Sequence, residues 1–128
     1  MKFRLAIFTL LFATVLSSTS FAEWTRVGSA EDGTEYYVDF ERIRNHSGYV
    51  YFWTLGDYPM KRHGSGSSVS YTRGDCEQFR IKYLNIMLRS GQMGQGDIVK
   101  FHDEEDTDWT YPSPNSMLES ILENVCAR

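Results

Sequence analysis

Few residues in this chain have both the type and the company to do chemistry. Two cysteines, Cys76 and Cys126, lie some 50 positions apart. A thiol redox pair usually stands as Cys-x-x-Cys, so that the second thiol can resolve the first. The three histidines, His46, His63 and His102, are scattered and have no i, i+4 partner, whereas a zinc site needs three or four converging ligands. Asp103, Glu104, Glu105, Asp106 and Asp108 form an acidic run, but without the Asp-x-Asp-x-Asp-Gly register and closing Glu of a calcium loop. Gly91, Gly94 and Gly96 lack the Lys-Ser/Thr pair and the following helix of a phosphate loop. No Gly-x-Ser-x-Gly elbow is present. The residues therefore point to a non-enzymatic protein with no metal and no cofactor. One basic cluster stands out, Lys61-Arg62-His63, with Arg73 beyond it. It reads either as a local grip on an acidic partner or as a solvated loop.

The N-terminus sets the compartment in which these residues act. Lys2 and Arg4 precede a short apolar run from Leu5 to Leu16, and Ser20-Phe21-Ala22 is a small-x-small cleavage site. That is the pattern of a secretory signal over residues 1–22, and the run is too short to span a membrane. No cysteine follows it closely, so a lipid anchor is not expected. The mature chain is expected to begin at Glu23, in the periplasm or at the cell surface. Two of the thirteen basic residues and none of the seventeen acidic ones fall in the signal, so the mature chain carries a net charge of −6. An acidic chain of one domain's length argues against nucleic acid, which demands Lys and Arg to displace counterions. Export also makes a Cys76–Cys126 disulfide the default reading. Closing a loop that long is worth on the order of 4 kcal/mol in the chain-entropy model.

Hydrophobic periodicity supplies the elements. Trp24-Thr25-Arg26-Val27 and Tyr36-Tyr37-Val38 read as strands joined through Glu31-Asp32-Gly33-Thr34 in a hairpin. Phe40 to Arg44 reads as a helical turn, and Asn45-His46-Ser47-Gly48 as a turn. Tyr49 to Leu55 is the strongest strand, apolar on both faces, which implies a helix on one side and a partner on the other. Residues 57–72, rich in Gly and Ser, read as a long mobile loop. Arg73 to Arg89 reads as one long strand whose apolar phase changes midway, the mark of a bulge or a twist. Ile98-Val99-Lys100-Phe101 and Trp109-Thr110-Tyr111 read as further strands around the acidic loop. Met117, Leu118, Ile121, Leu122, Val125 and Cys126 recur at helical spacing, and Ser116-x-x-Glu119 is a capping box. Strands first and one helix last describe an α+β domain: an antiparallel sheet of about six strands with a C-terminal helix across one face. The helix covers only one face, so a homodimer through the sheet is expected.

Taken in order, several motifs resemble the surface-adhesin protein E family. They are Trp24-x-x-Val27, Asp32-Gly33-Thr34-x-Tyr36-Tyr37-Val38-Asp39, Ile43, Trp53-Thr54-Leu55, Asp57-Tyr58, Ser68, Cys76, Met93-Gly94-x-Gly96, Trp109, Pro114-x-Ser116 and Cys126. The resemblance runs from Trp24 to Cys126. It implies a six-stranded antiparallel sheet, a C-terminal helix held on its concave face by the disulfide, and a dimer. It also implies a role without catalysis: binding host matrix or serum proteins such as laminin, vitronectin and plasminogen. The alternative is a periplasmic structural or small-ligand-binding domain with no host partner. For an adhesin, the contact surface is expected to include Lys61, Arg62, His63 and Arg73, where positive charge concentrates on an acidic chain.

Overall fold

The computed structural model describes residues 22–128. Residues 1–21 of the expected signal, and with them the reading placed there, lie outside the described residues. Seven strands and one helix follow in order: β1 (Thr25–Ser29), β2 (Glu35–Val38), a 3-10 turn (Phe40–Arg42), β3 (Arg44–His46), β4 (Tyr49–Arg62), β5 (Ser65–Asp75), β6 (Arg80–Arg89), β7 (Ile98–His102) and α1 (Met117–Cys126). All the strands pair antiparallel in one sheet of order β1-β2-β4-β5-β6-β7, with β3 paired to β4 as a short flap. The α+β arrangement matches the reading of the sequence.

Four of the expected elements differ, the first being Asn45-His46-Ser47-Gly48, where only Ser47-Gly48 turns while Asn45 and His46 belong to β3. Residues 57–72 are not a loop: β4 runs on to Arg62, β5 begins at Ser65, and only His63-Gly64 turns. Both turn residues have positive φ, 49° and 79°, which suits a tight hairpin whose twist matches that of its strands. Pro59 has no N–H to give a ladder, and it lies where the β4–β5 register is interrupted, between Asp57 and Arg62. Arg73 to Arg89 is not one strand either, because Cys76 to Phe79 turns the chain between β5 and β6. Asp75 holds that turn by accepting from the Gln78 N–H (3.1 Å) and from Arg80 Nε (2.9 Å). The expected phase change is real: β6 bulges at Leu84, so that Tyr83 and Asn85 oppose Thr72 and Tyr71. The bulge lets Tyr83 share a face with Ile86 and Leu88. Trp109-Thr110-Tyr111 contributes only one bridge, Thr110 to Ile81.

Strand alternation divides the sheet into two faces. Val38, Val50, Phe52 and Ile81 point to one of them and pack against Ile121, Leu122 and Val125 of the helix, forming the buried core. Ser116 caps α1 by accepting from the Glu119 N–H (3.1 Å), and the Glu119 carboxylate reaches back to the Asn115 N–H (3.1 Å). Helix and sheet approach closely because β5 offers no side chain at Gly74. A Cβ there would sit 2.9 Å from Val50 Cγ1 and 3.0 Å from Leu122 Cδ1. The far end of α1 is fixed covalently by the Cys76–Cys126 disulfide, whose Cα atoms are 5.7 Å apart.

The helix is short for the sheet that it covers. Ten residues of α1 span about 15 Å, whereas the eleven residues of β5 span about 36 Å. Replacing Cys76 and Cys126 together by Ser should lower unfolding free energy by about 3 kcal/mol, measured by denaturant titration. Gly74→Val should cost about 2 kcal/mol with the disulfide intact, because the added methyls drive Val50 and Leu122 apart.

Candidate functional site

The face opposite the helix is built almost wholly from wide side chains. Registered neighbours place Tyr51 beside Arg73, Trp53 beside Tyr71 and Leu55 beside Val69 across β4 and β5. Their rings form a row: Trp53 and Tyr71 centroids are 4.6 Å apart, Tyr51 and Tyr71 6.1 Å, and Tyr49 and Trp109 5.5 Å. Cations are interleaved with this row. Arg73 lies over Tyr49 (5.7 Å) and Tyr51 (5.4 Å), and its Nε donates to the Tyr51 hydroxyl at 3.0 Å. Arg80 and Lys82 lie over the ring of Trp109, at 4.2 and 5.1 Å. Stacked guanidinium groups are held flat and partly dry, which favours contact with aromatic or acidic surface. At the end nearest β7 the same face carries Met87 opposite Phe101, and Ile98, Val99 and Phe101 are exposed.

Leu55 and Ser67 are the exceptions on this face, since both are fully buried. The Ser90–Asp97 loop folds over them. Met93 N–H donates to Asp57 (2.7 Å), Gly94 N–H donates to Ser67 Oγ (2.9 Å), and Ser67 donates to the Gly91 carbonyl (2.7 Å). A Cβ on Gly94 would stand 3.0 Å from Leu55 Cδ1. The glycines in Met93-Gly94-x-Gly96 thus serve close packing over the sheet.

The basic cluster is divided by the fold. Lys61, Arg62 and His63 sit exposed at the tip of the β4–β5 hairpin. Arg73 is eight residues further along β5, about 26 Å away, in the aromatic row. The structure does not bring Arg73 to the tip. Arg62 is engaged there: it pairs with Asp32 of the β1–β2 turn and lies 5.2 Å from the centre of the Tyr58 ring. The Thr34 backbone N–H, followed by Arg62, holds the Asp32 carboxyl down at about 2. Neither Lys61 nor His63 makes such a pair in the hydrogen bonds and ion pairs of the described residues.

Other titratable residues are also placed. Among the described residues, no group of three or more His, Cys, Asp or Glu side chains converges to hold a metal ion. His46, His63 and His102 lie on β3, the hairpin tip and β7. The acidic run is tethered to the sheet. Glu105 pairs with Arg73, and Asp106 exchanges hydrogen bonds with Tyr83, accepting from its N–H at 3.0 Å and giving its own N–H to the Tyr83 carbonyl at 2.9 Å. No described helix is long and apolar enough to cross a membrane.

Asp75 and Arg80 anchor the cationic end of the aromatic row, and their pair is mostly buried. Burial pushes the Asp75 carboxyl up, but Arg80 and the Gln78 N–H more than offset it and leave the carboxyl below its ordinary 3.8. A carboxyl lowered on folding adds stability that is complete above its unfolded value and is lost as pH falls through the folded one. Asp75→Asn should therefore lower the melting temperature at pH 7. The gap to wild type should close as pH drops below about 4 in a thermal series from pH 6 to 2.

The family model for surface-adhesin protein E matches residues 24–127. Solved structures of Haemophilus influenzae protein E are similar in fold. Crystal form II is 17% identical with a TM-score of 0.64, covering 84% of this chain and 89% of that one. A further structure of the same protein is 18% identical with a TM-score of 0.61, covering 84% and 86%. The protein from non-typeable Haemophilus influenzae is 18% identical with a TM-score of 0.57, covering 86% and 79%. No curated protein matches the chain.

Proposed function

Because the chain belongs to the surface-adhesin protein E family, we propose that it is an exported, non-enzymatic module that binds host matrix or serum proteins, with laminin, vitronectin and plasminogen as first candidates. The observation that carries this reading is the family match across the whole sheet-and-helix domain, residues 24–127. Two surfaces support it. The hairpin tip exposes Lys61 and His63 on an otherwise acidic chain, so an acidic segment of a partner meets its attraction there. The tip is positioned by the Arg62–Ser65 pair at the turn and by the Arg62–Asp32 ion pair, which limits the entropy lost on binding. The aromatic row with its exposed neighbour Phe101 is a second contact surface, and we assign it to a homodimer. Secretion through residues 1–22 places the module in the periplasm or at the cell surface. A periplasmic domain without a host partner is the competing reading, and detection of folded protein only in the periplasmic fraction of intact cells would favour it.

Binding of residues 23–128 to immobilised laminin, vitronectin and plasminogen, measured by biolayer interferometry at two salt concentrations, tests the partner class. Lys61→Glu should slow association about five-fold at low salt and flatten the salt dependence, since rim charges act mainly on encounter. It leaves the Arg62–Asp32 pair intact, so the melting temperature should stay within about 1 °C. No binding to any of the three proteins would remove this reading. Light scattering at tens of micromolar tests the dimer: wild type should show twice the chain mass, and Phe101→Glu should show one.

A further inference from the structure

We propose that the helix face carries a binding cleft for a small neutral amphiphile, a molecule with an apolar body and a single hydroxyl or carbonyl end. This stands apart from the protein-binding surfaces, which lie on the open face and at the hairpin tip. The cleft has a volume of about 300 Å³, within the lower range of ligand pockets. It exists because the floor is low where the helix ends. On the helix face β5 presents Ser68, Ser70 and Thr72 in sequence, and β4 adds Thr54 and Gly56 beside them. Gly74 continues the same row under α1, where smallness admits the helix. Past the first turn of α1 no described helix covers Ser68 and Ser70, and Tyr36 closes over Gly56 at the edge of the floor. The walls are apolar: Phe52, Ile86, Leu88, Leu118 and Ile121, with Tyr36, Tyr58 and Tyr83 around them.

A row of small residues alone would be only a gap in packing. Thr72 argues that the gap is polar by design of the site. It lines the cleft, is 1% exposed, and its Oγ1 is buried with no hydrogen-bond partner among the described residues. Leaving a buried hydroxyl unpaired is unfavourable, and valine would fill the same space without that penalty. A ligand hydroxyl or carbonyl end supplies the missing partner while its body replaces water against Leu118, Ile121 and Ile86.

The lining also fixes the ligand's charge. It holds no Asp, Glu, Lys, Arg or His. The pair nearest the Tyr58 side, Arg62 and Asp32, is satisfied within itself. Lys100 and His102 occupy the helix face of β7, one strand beyond Leu88 and Ile86, without lining the cleft. A carboxylate or an ammonium entering this space would lose water and gain no counter-ion, so a neutral group is favoured. Burial of Tyr83 already pushes its hydroxyl up, as expected of a surround that disfavours charge.

Amide chemical-shift titration of the intact mature protein with 1-octanol, octanoate and octylammonium tests this. Octanol should shift Ser68, Ser70, Thr72, Leu118 and Ile121 saturably, at least five-fold more tightly than either charged probe. Ser70→Leu should fill the cleft, weaken octanol at least ten-fold and leave the melting temperature equal or higher. Thr72→Val, which keeps volume and removes the hydroxyl, should weaken octanol about five-fold and serves also if Ser70→Leu does not fold. Three results would each overturn the proposal: no saturable shifts up to the solubility of octanol, shifts confined to the open face, or equal affinity for all three probes. Unchanged octanol binding in Thr72→Val would overturn it as well.

Discussion

One ten-residue helix has to dry one face of a sheet much longer than itself. The features that set this fold apart follow from that mismatch. The helix cannot slide to a better compromise, because Cys126 ties its last residue to the turn after β5. It cannot stand off either, because Gly74 draws it down until Leu122 touches the sheet. The core is therefore concentrated at one end, where Val50, Phe52, Ile81, Leu122 and Val125 meet. The rest of that face is handled without a second helix, by small hydroxyl residues in place of large apolar ones.

The opposite face is handled in another way. Its width comes from tyrosine and tryptophan, which bury large areas against one another while keeping polar edges toward water. Arginine and lysine cations lie over those rings and shield them further. Leu55 is the large apolar side chain that is fully dry there, and it is covered, with Ser67, by a dedicated loop with glycines placed for close approach. One sheet thus carries two surfaces of contrasting chemistry: one floored with small neutral hydroxyls, the other wide, aromatic and cationic. The division is a direct result of period-two alternation along β4 and β5.

How much of this was legible in the sequence depended on residue width. Tyr49 to Leu55 and Met117 to Cys126 announced themselves, because large apolar side chains repeat at the period of their element. The bulge in β6 was visible as a break in that repeat at Leu84. Ser65 to Thr72 was misread as a loop for the same reason in reverse: serine and glycine there signal a thin strand, and composition does not separate a thin strand from a flexible one. Two consequences followed. The basic residues at 61–63 were placed on a slack segment instead of the tip of a strand hairpin. Arg73 was grouped with them, although a strand of that length carries it to the far end of the sheet. The aromatic row escaped notice as a unit, because Tyr49, Tyr71 and Trp109 are joined only by pairing across strands. The Met93-Gly94-x-Gly96 motif was visible, but its role over Leu55 needed the long-range bonds to Asp57 and Ser67.

The disulfide has a consequence for how the chain matures. With two cysteines there are no alternative pairings within one molecule, so the bond offers no scrambled isomers to trap the protein. The fold brings the sulfurs together far more often than an open chain does, because it holds the end of β5 and the end of α1 with their Cα atoms 5.7 Å apart. Folding and oxidation therefore favour each other, each raising the equilibrium constant of the other. The one wrong product available joins two chains through their cysteines, and its yield rises with concentration while that of the correct bond does not. The concentration of chains in the compartment where thiols are oxidised, more than their sequence, then governs the fidelity of the bond.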